Sequence, residues 1–304
     1  MAFIITGGAG FIGSNLVKKL LESEEKVFVI DDFSLGDIKN LNKRDRNLTV
    51  FQESCSKIPE IRKIGYVEHV FHLGTPSSAP IYAGNRTLQL RTVEEFEVLT
   101  DFCRKSDAGL SLASSSSVYG NLSPPHKESA DVKPFDGYTT TKIAMEEILK
   151  TFHEKYGLSG VALRLFSVYG PGESHKGQYA NLVSQFIWKM YAGKGPVIYG
   201  DGSQSRDFIH VSDVVDAFIA SAGFGSYEIL NVGTGISSTL NELVALINSS
   251  LKSNIKPEYV KNPVVNYVMH TKADINKAKR YLGFEYAISL ISGIKDLIGN
   301  KGLL

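Results

Sequence analysis

Two cysteines in 304 residues, Cys55 and Cys103, are too few for a disulfide framework or a zinc site. An excess of charge is also missing. The 33 basic residues stand against 32 acidic ones, which argues against nucleic acid or a membrane surface as a partner. No apolar run is long enough to span a bilayer, and the first strand pattern starts at residue 3, where a signal peptide would have to be. The seven histidines show no ligand spacing, so no metal is expected. Internal repeats and low-complexity tracts are absent. These absences leave the expectation of a cytoplasmic enzyme from a reducing compartment, built as one large domain or two intimate lobes. Cys103, on the helical stretch EEFEVLTDFCRK, and His72, in VFHLG, read as core residues.

What is present begins at residue 3 with FIITGGAGFIGSNLVKKLL. Phe3 to Thr6 read as a buried parallel strand. Gly7, Gly10 and Gly13 follow at three-residue spacing, and a helix opens behind them with Leu16, Val17, Leu20 and Leu21 on one face. Gly8, Gly10 and Gly13 also satisfy the dinucleotide-binding fingerprint. Such a turn needs glycine for the bend, for the approach of a pyrophosphate and for helix–strand contact. The first-turn N–H groups and the helix dipole then favour phosphate. A tight turn without a ligand is the bland alternative. The next strand, KVFVIDD, ends in Asp31 and Asp32, and Asp31 lies 18 positions after Gly13. That is near the spacing of a carboxylate that holds the adenosine ribose hydroxyls. It would repel a 2′-phosphate, and no arginine follows before Arg44, so the expected cofactor is NAD rather than NADP. For Asp32 a turn role is the alternative. Cys55 stands after the third strand, where an adenine-contacting aspartate is often found.

Strand and helix patterns alternate through the first half. Strands read at 3–6, 26–31, 48–51, 68–73, 110–114 and 161–166, and helices at 13–22, about 88–105 and 139–156. This predicts an α/β fold, a Rossmann-type doubly wound parallel sheet with a smaller C-terminal α/β substrate lobe. Beyond 167 the patterns give helices near 181–192, 211–222 and 239–251, strands near 196–199, 228–232 and 257–260, and two terminal helices. The expected division is residues 1–166, with about 208–235 returning, for the dinucleotide domain, and 167–207 with 236–304 for the second lobe. Ligands of such sheets bind outside the carboxyl ends of the strands, so chemistry is expected after strands four, five and six.

The fifth strand runs into ASSSSVYG, which supplies Ser114 to Ser117 and Tyr119. Tyr138 and Lys142 then open an amphipathic helix on one face. A free tyrosine, with a pKa near ~10, is a poor base at neutral pH. A nearby ammonium and a cationic nicotinamide ring would favour its phenolate, and a serine opposite can orient a substrate hydroxyl.

These motifs, with LRLFSVYGPG, YGDGSQSRDFIHVSD, NVGTG and ADINKAKRYLGF, resemble the extended short-chain dehydrogenase/reductase enzymes that act on nucleotide sugars. The resemblance covers nearly the whole chain. It implies Ser115 as the catalytic hydroxyl, Tyr138 as the base and Lys142 as its partner. It implies NAD contacts from Gly7, Gly10, Phe11, Ile12, Gly13, Asp31, Asp32 and Leu73, with Tyr138, Lys142 and Pro171 at the nicotinamide. Substrate contacts fall to Ser115, Ser167 (in place of a usual asparagine), Asn181 and Leu182. Tyr199 would pack on the base and Arg206 would grip the diphosphate. Core packing is the alternative for Tyr199 and a surface salt bridge for Arg206. Helices 88–105 and 139–156 would pair with a second subunit in a homodimer.

Three departures narrow the reading. NPVVNYVMH lacks the second diphosphate arginine common before the ADINKAK segment. Ser116-Ser117 replaces the Asp-Glu of 4,6-dehydratases, so dehydration is not expected. The loop GTPSSAPIY, 74–82, looks like that of the UDP-glucuronate decarboxylases, which carry a glutamate where Ser117 stands. The expected activity is NAD-dependent C4 epimerisation of a UDP-glucose/UDP-galactose type substrate. Decarboxylation of UDP-glucuronate is the alternative within the fold, and a non-catalytic NAD-binding regulator is the alternative of another class.

Overall fold

The computed structural model describes residues 1–62, 64–264 and 267–299. From the N-terminus the chain forms β1 (Ala2–Thr6), α1 (Phe11–Glu22), β2 (Lys26–Ile30), β3 (Leu48–Phe51) and β4 (His69–His72). A short helix α2 (Ala79–Tyr82) and the long α3 (Arg86–Ser106) lead to β5 (Gly109–Ser115), α4 (Gly137–Tyr156) and β6 (Gly160–Leu165). Then come β7 (Ser167–Tyr169), α5 (Leu182–Tyr191), β8 (Val197–Tyr199), β9 (Ser205–Arg206), β10 (Phe208–His210), α6 (Val211–Ala222) and β11 (Tyr227–Val232). The chain closes with β12 (Ser238–Thr239), α7 (Leu240–Leu251), β13 (Glu258–Val260), α8 (Asn276–Leu282) and α9 (Leu290–Gly299).

Seven strands form one sheet in the order β3-β2-β1-β4-β5-β6-β11, with every pair parallel. Both faces are covered, as near-continuous apolar strands require. The two-residue strand period splits β1 between them. Phe3 and Ile5 share a core with Leu16 and Leu20 of α1 and Val214 and Phe218 of α6. Ile4 faces the other way, into a core with Phe96 and Leu99 of α3 and Met145 and Leu149 of α4. From β1 the chain builds β2 and β3 on one side, then returns to place β4 on the other. The carboxyl ends of β1 and β4 thus flank the crevice where such sheets take ligands. A third core lies outside the sheet and joins Val183 and Phe186 of α5, Leu243 and Ile247 of α7, and Ile294 and Leu297 of α9. Three small pairs accompany it: β7 with β10 and β8 with β13, parallel, and β9 with β12, antiparallel.

The expected doubly wound sheet is present, with shifted boundaries. The helix expected from 13 starts at Phe11, because the Ser14 N–H already bonds to the Gly10 carbonyl at 2.9 Å. Helices α3 and α4 also start two residues early, where Asn85 and Asp136 cap them. In α4, Asp136 Oδ1 accepts from the Thr139 N–H at 2.7 Å and Thr139 Oγ1 accepts from the Asp136 N–H at 3.2 Å, a capping box. Gly157 ends that helix at φ +72°, donating its N–H to His153 O. His72 and Cys103 are buried as expected. His72 Nδ1 lies 2.7 Å from Thr6 Oγ1, and burial pushes the imidazole down to about 3. Residues 300–304 of the expected second lobe lie outside the described residues. Among the described residues, no helix is long and apolar enough to cross a membrane.

Asp136→Ala removes the side-chain half of the α4 capping box, the acceptor of the Thr139 N–H. Urea unfolding is expected to show a loss of about 1 kcal/mol, most of it absent in Asp136→Asn.

Candidate active site

The glycine turn closes β1 onto α1 with no room for side chains. A Cβ on Gly7, at φ +68°, would lie 2.6 Å from the Gly74 nitrogen, and one on Gly13 would lie 2.2 Å from the Gly7 carbonyl. Gly10 caps α1 without a side-chain acceptor, so the first-turn N–H groups of this 12-residue helix remain available to an anion. The turn forms one wall of a cavity of about 910 Å³ that runs along the carboxyl ends of the sheet. Gly7, Gly10, Phe11, Ile12 and Gly13 line it, as do Asp31, Asp32 and Leu73. At its other end stand Ser115, Tyr138, Lys142, Ser167 and Asn181.

At the β2 end, Asp31 is buried. Its Oδ2 accepts from the Ala9 N–H and its Oδ1 from the Phe33 N–H, both at 2.9 Å. Burial pushes this carboxyl up, and the two N–H donors pull it back. Asp32 accepts from the Ser34 N–H at 2.9 Å and hydroxyl at 2.6 Å, the turn role considered for it, while its side chain also borders the cavity. Cys55 is buried on the same wall beside Ser54, whose hydroxyl donates to Glu95 at 2.8 Å.

At the β5 end, Tyr138 lies in the first turn of α4. Burial pushes its phenol up, and the Ser115 hydroxyl, as a hydrogen-bond partner, pulls it down. Lys142, one turn later, donates from Nζ to Thr75 Oγ1 and to the Ala113 carbonyl, each at 2.7 Å. Its Nζ is 5.7 Å from the centre of the Tyr138 ring. Burial pushes Lys142 down to about 7, against the opposing pull of Glu146. Ser115 Oγ accepts from the Ser117 N–H at 3.1 Å. The Tyr82 ring, from the 74–82 loop, lies 5.7 Å from the Tyr138 ring.

Sequence patterns did not single out what holds this end in place. Glu146 and Arg164 are 2% and 3% exposed and pair at 2.7 Å and 3.0 Å through both carboxylate oxygens. Ser114 donates to the same carboxylate at 2.5 Å. Arg164 reaches Tyr119 OH at 3.1 Å, and that hydroxyl donates to Asn231 at 2.7 Å. Two signals were available: an arginine inside the apolar run VALRLF, and a glutamate four residues after Lys142 on the same helix face.

Four expected residues stand off the cavity wall. The Pro171 carbonyl is tied to α1 by Asn15 Nδ2 at 3.0 Å. Leu182 packs against the third core. Tyr199 is 40% exposed rather than packed in a core. Arg206 bonds to carbonyls rather than a carboxylate: Ser205 and Met269 from Nη1, Val268 from Nη2. The Tyr267 ring lies 5.3 Å from its guanidinium. Among the described residues, no group of three or more His, Cys, Asp or Glu is placed to hold a metal ion.

The chain is similar to known proteins over nearly its whole length. The family described as NAD dependent epimerase/dehydratase matches residues 3–233. The UDP-N-acetylglucosamine 4-epimerase of Methanobrevibacter ruminantium, solved with UDP-N-acetylmuramic acid, is 34% identical, with a TM-score of 0.91 over 98% of this chain and 97% of that one. The UDP-glucose 4-epimerase of Thermotoga maritima, solved with UDP-glucose, is 32% identical, with a TM-score of 0.91 over 97% and 96%. The UDP-glucuronate 4-epimerase of Thermodesulfobacterium geofontis is 30% identical over 97% of this chain and 94% of that protein. The cofactor is therefore NAD. The crowded glycine turn and the uncapped start of α1 fit its diphosphate.

The depressed Lys142 gives a pH signature. Between about 7 and the ordinary lysine value, the unfolded chain binds the proton that the folded one has released, so stability rises with pH through that window. In the NAD-free protein, urea unfolding from pH 7 to pH 9 is expected to show wild type gaining about 2 kcal/mol on Lys142→Met.

Proposed function

We propose that this chain, which belongs to the NAD dependent epimerase/dehydratase family, inverts C4 of a UDP-hexose of the UDP-glucose/UDP-galactose type. One observation carries the choice. Around Ser115 and Tyr138 the cavity is lined by hydroxyls, from Thr75, Ser77, Ser116 and Ser117, while its carboxylates, Asp31, Asp32, Glu53 and Glu95, belong to the end beyond β2 and β3. A neutral hexose suits that wall. No acid stands beside Ser115 among the lining residues to expel a leaving hydroxyl.

In this reading Tyr138, as phenolate, removes the C4 hydroxyl proton, with Ser115 hydrogen-bonded to the same oxygen. Lys142 supplies the positive charge that favours the phenolate. NAD, when bound, would supply the hydride acceptor and donor, so no net oxidation would occur. The 4-keto sugar turns in the cavity so that the hydride would return to the other face of C4, and Tyr138 gives its proton back to the C4 oxygen. Asp31 holds the adenosine ribose. Asn181 and Ser167 face the sugar nucleotide from the cavity wall, next to Leu182. Tyr199 and Arg206 take the base and diphosphate, for which Arg206 exchanges its carbonyl partners. Residues 1–166 with 208–235 act as the dinucleotide unit, and 167–207 with 236–304 as the sugar-nucleotide unit.

The 74–82 loop, whose sequence GTPSSAPIY resembles that of the UDP-glucuronate decarboxylases, favours a second reading, decarboxylation of UDP-glucuronate. That reaction begins with the same oxidation at C4, so product identity separates the two. UDP-glucose is expected to yield UDP-galactose, with little UDP-xylose from UDP-glucuronate. Release of CO₂ from UDP-glucuronate with UDP-galactose untouched would overturn the proposal.

Tyr138→Phe is expected to lower turnover at least ~100-fold while the protein keeps its NAD. NAD is expected to bind much more tightly than NADP in a titration. Equal affinities would remove the ribose role of Asp31.

A further inference from the structure

Residues 171–181 cross the mouth of the cavity over the glycine turn, anchored at both ends. Asn15 Nδ2 holds the Pro171 carbonyl at 3.0 Å and the Phe11 carbonyl at 2.9 Å. Glu173, with no exposed surface, accepts from the Asn181 N–H and the Ser184 hydroxyl, each at 2.6 Å. Between the anchors, Gly177 reverses the chain at φ +51°. His175 reaches across to Asn40, which bonds to the Ala9 carbonyl of the glycine turn at 2.8 Å. The Lys176 ammonium sits 5.4 Å from the centre of the Phe11 ring, on the first turn of α1.

The diphosphate of the dinucleotide brings full negative charge to that turn, where α1 offers only N–H dipoles. Charge-assisted bonds to a cation are the stronger kind. The other lysine and the arginine on the cavity wall are engaged elsewhere. Lys142 donates to Thr75 and Ala113, and Arg91 pairs with Glu95 at 2.9 Å near Asp32. Among the described residues, the one ion pair of Lys176 is with Glu173, at 3.2 Å. Glu173 keeps two other donors if the ammonium turns away.

We propose that Lys176 binds the diphosphate of NAD from a strap, residues 171–181, that closes over the bound cofactor and slows its release. The strap also carries Asn181, at the sugar-nucleotide end, so one segment spans both ends of the cavity. The proposal rests on NAD as cofactor and not on the C4 chemistry, so it stands or falls apart from the substrate assignment.

The test compares wild type, Lys176→Gln and Lys176→Arg. The rate of NAD loss from the holoenzyme is followed in a dilution chase. Binding of ADP and of adenosine to the stripped protein is measured by calorimetry. Lys176→Gln is expected to release NAD about 10-fold faster and bind ADP about 10-fold more weakly, with adenosine affinity unchanged. Lys176→Arg is expected to stay within about threefold of wild type on all three readouts. The proposal is overturned if Lys176→Gln leaves ADP affinity and NAD release unchanged. It is also overturned if adenosine weakens as much as ADP, since the effect would then lie in the shape of the strap and not in its charge.

Discussion

The buried pair of Glu146 and Arg164 is the constraint on which the active end depends. Two charges taken out of water cost several kcal/mol each, and attraction offsets this only when geometry is good and the remaining hydrogen-bonding capacity is filled. Here both carboxylate oxygens are used, and Ser114 and Tyr119 complete the set. The result ties α4 to the ends of β5 and β6 and, through Tyr119 and Asn231, to β11. Rotation of α4 would break that set. With the helix fixed, Lys142 and Tyr138, one and two turns upstream, are carried to Ser115 on the end of β5.

The same network keeps a positive charge usable where burial opposes it. Lys142 is pushed down by desolvation, and the carboxylate one turn away works in the other direction. A buried lysine near neutrality is easily shifted by whatever charge enters the cavity. Lys142 and the phenol beside it therefore respond to the occupant of the cavity as well as to the pH of the solvent.

The sheet was legible in the sequence because each of its strands is a short apolar run closed by a turn, a pattern set by burial on both faces. The glycine turn, Asp31 and the Tyr138–Lys142 pair were legible because their spacing is local, and Ser115 was singled out among its neighbouring serines by the family resemblance. The rest depends on contacts that no local pattern carries. β7, β9 and β12 hold two or three residues each and exist only through partners far along the chain. Arg206 reads as an exposed cation, yet the carbonyls of 268 and 269 draw its guanidinium inward. Lys176 lies in a polar stretch with no periodicity, and only the fold sets it above Phe11.

The return of β11 to the edge of the sheet has a consequence during synthesis. β6 pairs with β5 on one side, but its other edge stays open until Tyr227–Val232 has left the ribosome. The intervening chain also holds α6, which covers Val161 and Leu163 on one sheet face. A nascent chain that ends between the two strands therefore presents an unpaired apolar edge, the kind of surface that joins the wrong neighbour. Until β11 arrives, the segment Val161–Leu165 is one that a growing chain must keep shielded.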